Sequence, residues 1–206
     1  MSARALRVFL AIVSGVLVAG GSLACSPPVY STVHGNPTGN AKYWVYQGQT
    51  PTCVLAATAE IVAQARRVTA SSVYPQLVSV ARARGLLTWR GMTLSDARLL
   101  LAVFGVSVAY THASLPALEQ VLDRGRLPVV MVDDDELPAW HRSDPYDGTS
   151  RDSGANHAVV VTGVDTVHNL VYLNDSALQF AGREETLTVA QFLNAWDDDS
   201  YPMLAN

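Results

Sequence analysis

The chain has almost no lysine. Lys42 is the single one among 206 residues, so its positive charge is nearly all arginine. Only 14 Lys and Arg are spread along the sequence, with a formal charge of -4 and a pI near 5.6. No basic face for phosphate is built from that, which sets aside a nucleic-acid partner. Cysteine is equally scarce, Cys25 and Cys53 being the only two. There is thus no Cys-pair spacing for zinc, the five histidines form no H-E-x-x-H, and the aspartates match no calcium loop, so neither metal nor cofactor is expected. Internal repeats are absent. Charged residues make up 16% against 49% hydrophobic, a balance that excludes disorder and suits one globular domain with a proper core.

The exceptional stretch is the first. Arg4 and Arg7 precede the apolar run "VFLAIVSGVLVAG", and "GSLAC" follows with the small residues a signal peptidase needs. The run is short for a membrane span and is broken by Gly15, Gly20 and Gly21. Residues 1–24 therefore read as a signal peptide and the rest as an exported protein. Cleavage after Ala24 leaves Cys25 first, the residue that takes up lipid in a bacterial lipoprotein; simple secretion is the alternative. Outside the cytosol a Cys25–Cys53 disulfide is the competing use of both thiols, and lipidation of Cys25 would abolish it.

"SPPVYSTVHGNPTGN" has no apolar period, so residues 25–41 read as a linker or tether and residues 42–206 as the domain. "YWVY" is a short strand or extended lead-in. Pro51 precedes a helix over about 52–67 with Cys53 in its first turn. A second helix covers "SSVYPQLVSVARAR", its regular part starting at Pro75, and a third covers "LSDARLLLAVFG". "VSVAY" reads as a strand, "LPALEQVLDRG" as a helix capped by Ser114, and "LPVVMV" as a strand buried on both faces. Residues 133–156 form an acidic loop, read as a solvated surface loop, with a cover over a cleft through Trp140 and His141 as the alternative. "HAVVVTGVD" and "LVYLND" pair around a turn near Thr166 and Val167, and "TLTVAQFLNAW" closes the chain as a helix capped by Thr188.

A thiol is a good nucleophile as the thiolate, which a helix N-terminus and a nearby imidazolium both stabilise. Cys53 has the first by position. Of the histidines, His34, His112, His141 and His168 fall in linker, loop or turn segments, whereas His157 opens the most apolar strand directly after a loop. A satisfied histidine at a strand end is the competing reading. The hairpin brings His157 close to Asn174 and Asp175, either of which could hold its second nitrogen, since a one-residue slip exchanges them. An oxyanion would find the Cys53 N–H and a side-chain amide from upstream, Gln47 or Gln49.

Gln-Gly, four residues, Cys at a helix start, His opening a late strand, and Asp in "LND" together resemble the papain-like cysteine peptidases, and more specifically the C39-like bacterial peptidases. The blocks "RGMTLSDARLLLAVFGV", "LPALEQVLDRGRLPVVMVD", "HAVVVTGVD", "VYLNDS" and "FLNAW" look like that family's successive elements. The resemblance implies an α+β papain-like fold, with a helical N-terminal half packed on a C-terminal antiparallel sheet. It implies Cys53 as nucleophile, His157 as general base and acid, Asp175 as orienting residue and Gln47 as oxyanion donor, acting on a peptide or protein substrate outside the cytoplasm. A related amide-transfer enzyme and a degenerate peptide-binding protein on the same fold are the rivals. The family often has Asp or Asn before the cysteine, Gly after it, and Pro after the aspartate; here Thr52, Val54 and Ser176 stand there. Val54 is expected to crowd the oxyanion position.

Overall fold

Alternation of apolar residues in a short chain of strands, set against helices that are apolar on one stripe, gives two layers of helix around one sheet. The computed structural model describes residues 33–138, 155–197 and 200–205. Among these, the first element is a strand, β1 (Val33–Gly35), followed by a single helical turn, α1 (Pro37–Asn40), and a 3-10 turn at Ala41–Tyr43. The expected tether over 25–41 is therefore corrected from Val33 onward. β1 pairs with a central strand (Val33 opposite Asp165, Gly35 opposite Gly163), and Asn36 caps α1 by accepting from Gly39 N. Its period was illegible because three residues of strand and four of helix are too short to show one. The expected signal peptide and Cys25 lie outside the described residues.

Three helices follow: α2 (Cys53–Arg66), α3 (Ala70–Ala83) and α4 (Leu94–Val103). α2 is close to the expected helix and starts at Cys53 itself. α3 begins five residues before Pro75, which lies inside it. The missing N–H of Pro75 removes one bond near the helix start, where packing of Val73, Leu77 and Ala81 outweighs it. "YWVY" is no strand: Tyr43 ends the 3-10 turn, and a segment without regular structure, bent at 49–51, leads into α2.

The remaining elements are β2 (Ala109–His112), α5 (Leu115–Asp123), β3 (Val129–Val132), β4 (His157–Asp165), β5 (Leu170–Asn174), β6 (Arg183–Thr188), α6 (Val189–Trp196) and β7 (Pro202–Ala205). With β1, which pairs with β4 off this path, they form a seven-stranded antiparallel sheet in the order β2-β7-β3-β4-β5-β6. β4 is nine residues long and wholly buried, so β3 pairs with its first half and β1 with its second on the same side. The strand expected at "VSVAY" starts later, at Ala109, where pairing with β7 decides it. β7 itself corrects the expectation that a helix closes the chain. Trp196 Nε1 donates to Pro202 O at 3.1 Å and so ties the end of α6 to the start of β7.

One face of the sheet carries α2, α3 and α4, packed on Val129, Ala158, Val160 and Leu204. The other carries α5 and α6 over Val130, Val159, Val161, Val171 and Leu173. This is an α+β arrangement in which the helical first half lies against the later sheet. In the acidic segment Asp134–Glu136 form a 3-10 turn, and Asp133 and Asp134 are buried rather than solvated. Trp140 and His141, and with them the idea of a cover, lie outside the described residues.

Candidate active site

Cys53 is the first helical residue of α2, half-buried, with a free thiol. α2 starts there because Pro51 holds the preceding chain extended, and the first intrahelical bond runs from Ala56 N to Thr52 O at 2.8 Å. Gly91 helps to fix this entrance. It has φ +97°, and a Cβ on it would lie 2.5 Å from Pro51 O, so the 88–91 turn rests directly on the chain entering the helix.

His157 opens β4 and is buried, with its ring against the Cys53 thiol. Its Nε2 donates to Asp175 Oδ1 at 2.9 Å, which leaves Nδ1 for the sulfur. The hairpin explains why it is Asp175. Val160 faces Asn174, so by the two-residue period Asp175 shares the parity of His157, while Asn174 points the other way. Asn174 donates to Glu60 Oε2 at 2.7 Å and to Asn40 O at 3.2 Å. The turn of the hairpin is closed by Asp165, whose carboxylate accepts from His168 N and Val167 N at 3.0 Å each and from His168 Nδ1 at 2.7 Å. Those bonds, led by the His168 N–H, hold its pKa down to about 2.

Asp175 is fully buried; its Oδ1 and its backbone are held, while Oδ2 has no hydrogen-bond partner among the described residues. Its Oδ1 also accepts from Ala177 N at 2.8 Å, its carbonyl accepts from Trp44 Nε1 at 2.6 Å, and its N–H donates to Gly182 O at 2.7 Å. Gly182 lies so close that any Cβ there would meet the Asp175 carbonyl.

The electrostatics follow from this packing. Burial pushes the Cys53 thiol up, but the hydrogen bond and charge of His157, with the N–H groups of Ala158 and Val54, outweigh it and leave the thiol below its ordinary value. Burial alone would push His157 down; the Asp175 charge and hydrogen bond, and then Cys53, hold it well above the usual imidazole range. Both shifts run toward thiolate and imidazolium.

Gln47 lies between the two halves. Ser176 Oγ donates to its Oε1 at 2.7 Å, its Nε2 donates to Thr50 O at 3.0 Å, and its backbone N–H donates to Ser176 O at 2.9 Å. The amide is thus oriented, with one N–H engaged by Thr50. Gln49 is exposed and reaches Tyr46 instead. Val54 does not crowd the site with its side chain: that is 3% exposed in the core, and its N–H faces the sulfur. Among the described residues no group of three or more His, Cys, Asp or Glu converges as metal ligands would.

The sequence profile of the Peptidase_C39 like family matches residues 97–202, half of the chain, including His157 and Asp175. The chain belongs to the Peptidase_C39 like family. Cys53 and Gln47 precede the matched segment, and it is the fold that joins them to it. Uncharacterized proteins of Mycobacterium tuberculosis and Mycobacterium bovis are 30% identical over 204 residues, 87% of this chain and 86% of theirs. A crystal structure of a candidate C39-like peptidase from Bacillus anthracis shares the fold, with a TM-score of 0.57 at 13% identity over 81% of this chain and 94% of that one. For a member of this family, sequence reasoning missed Glu60, Ser176 and Tyr74. Glu60 had a signal: it is a carboxylate inside a helix stretch, 54–63, that is otherwise apolar or small. Ser176 and Tyr74 had none, since their roles arise only from contacts across the fold.

Proposed function

We propose that this chain is an exported cysteine peptidase that hydrolyses peptide bonds through Cys53, His157 and Asp175. The observation that supports it is the contact of the Cys53 thiol with an imidazole whose other nitrogen is held by a buried carboxylate. The thiolate attacks the amide carbonyl carbon, forming the C–S bond and an oxyanion. The Cys53 N–H and the remaining N–H of Gln47 act as the donors to that oxyanion. His157 Nδ1–H gives its proton to the leaving nitrogen as the C–N bond breaks, which leaves a thioester. Water then attacks the thioester, His157 takes its proton, and the acid leaves with the thiolate restored. The charged N-terminal segment with its apolar run and "GSLAC" supports export, with Cys25 as a lipid-bearing anchor and the substrate a peptide or protein outside the cytoplasm.

Hydrolysis of a mixed fluorogenic peptide library tests the reading. Activity is expected from the wild type and none from Cys53→Ser, with His157→Ala reduced by about 10²-fold or more. Folded wild-type protein whose Cys53 alkylates with an ordinary thiol pKa, unchanged in His157→Ala, would overturn it.

A further inference from the structure

Asn174 ends β5 and Asp175 follows it; the two side chains point to opposite faces, and each holds one half of the candidate pair. Asp175 Oδ1 accepts from His157 Nε2 at 2.9 Å. Asn174 lies opposite Val160, on the sheet face that carries α2, and its Nδ2 donates to Glu60 Oε2 at 2.7 Å. Asn174 is itself held in place: Nδ2 also donates to Asn40 O at 3.2 Å, and Oδ1 accepts from Glu184 N at 3.3 Å. Both it and Glu60 are buried, so the contact is closed to solvent.

Glu60 belongs to the helix that Cys53 starts, seven residues further on. Seven residues are two turns, so carboxyl and thiol lie on one stripe of α2, about 10 Å apart along its axis. Between them that stripe presents Ala56 and Ala57. Such small side chains interlock little with a strand, and apolar packing has no direction, so they set the sliding and rotation of α2 only weakly. The other polar side chains of α2 turn elsewhere. Thr58 Oγ1 donates to Val54 O in its own helix, Gln64 Nε2 to Asn40 Oδ1 and Gly125 O, and Arg66 Nη2 to Phe104 O. The bond from Asn174 to Glu60 is buried and directional, and holding register is what such a contact does better than an apolar one.

We infer that Glu60 is a positioning residue for the nucleophile: its bond to Asn174 sets the register of α2 on the sheet, so that Cys53 meets the imidazole that the adjacent Asp175 holds. This rests on Cys53 being the nucleophile, and the test separates the two. The pH dependence of iodoacetamide alkylation is followed at Cys53 by peptide mass spectrometry, on the full chain, with urea midpoints measured alongside. The proteins are wild type, Glu60→Gln, Glu60→Met and Asn174→Ala. Glu60→Gln keeps an acceptor for Asn174 and keeps the wild-type thiol pKa. Glu60→Met removes the acceptor and Asn174→Ala the donor. Each is expected to raise the apparent thiol pKa by about one unit, or about ten-fold less thiolate at a fixed pH below it. Gln and Met both lack the carboxyl, so the difference between them reads the hydrogen bond and not a charge. A wild-type thiol pKa in either folded variant, Glu60→Met or Asn174→Ala, overturns the role of Glu60, as does a rise in Glu60→Gln equal to that in Glu60→Met. Loss of the fold in both makes the contact a folding tie and overturns the role as well. These outcomes leave the nucleophile in place. An ordinary wild-type thiol, indifferent to His157→Ala, removes both.

Discussion

Two shifted groups set the pH behaviour of the candidate pair. The reactive form needs Cys53 without its proton and His157 with one; the first pKa is lowered and the second raised, so both shifts act to widen the window of that form. Activity is expected to fall on the acid side through the thiol pKa and on the alkaline side through the imidazole pKa. Asp175 is the main influence holding His157 up, against burial. In Asp175→Ala the alkaline limb should therefore move to lower pH, while Asp175→Asn, which keeps an acceptor but loses the charge, should move it less. A pH profile of kcat/KM in the three proteins decides this, and an alkaline limb that stays fixed in Asp175→Ala would refute it. At this scale the residue types were legible, because Cys at a helix start and His at a strand start carry local signals. The choice of Asp175 over Asn174 was not, because it depends on a hairpin register that one residue of slip reverses.

Between elements, the contact that joins α2 to β5 is Glu60 with Asn174. Burial pushes the Glu60 carboxyl well above its usual range; the Asn174 hydrogen bond opposes this and the Asp175 charge adds to it. A carboxyl whose folded pKa is raised favours the native state below its unfolded value, near 4.3, and loses stability as pH climbs from there toward the folded value. Glu60→Gln offers Asn174 the same kind of acceptor without a titrating proton. It should be more stable than wild type by a margin that grows with pH, at most about 1.4 kcal/mol per pH unit inside that window. Urea unfolding at pH 5 and pH 8 reads the margin, and an equal margin at both would sink the account. Gly91 is the other inter-element constraint. Gly91→Ala must push the 88–91 turn away from Pro51, so a loss of about 1–3 kcal/mol is expected, with a parallel fall in Cys53 alkylation. A variant with unchanged urea midpoint and reactivity would show that the turn does not brace the helix entrance.

Along the chain, β1 belongs to the sheet and α1 follows it onto the domain, so neither is a tether. His34 Nδ1 donates to Asp123 Oδ1 at 2.9 Å, Asn36 N donates to Thr162 O at 3.1 Å, and Arg183 Nε donates to Ala41 O at 3.0 Å. A chain starting at residue 42 should unfold at clearly lower urea than one starting at residue 31, and equal midpoints would return the segment to the status of a linker. The sequence by itself determined the helix starts at Cys53, Leu94, Leu115 and Val189, the buried strands β3 and β4, and the residue types of a thiol chemistry. Each is written in a local period or cap that neighbours in the chain enforce. Only the tertiary structure decided that Val33–Gly35 and Pro202–Ala205 are strands, since pairing with β4, β2 and β3 supplies the hydrogen bonds that such short segments cannot make alone. It alone decided that Asp175 rather than Asn174 meets His157, that Ser176 orients Gln47, and that Tyr74 holds the threonine before Cys53. Those contacts join residues far apart in the chain, and no local pattern encodes which partners the packing of helices on the sheet will bring within reach.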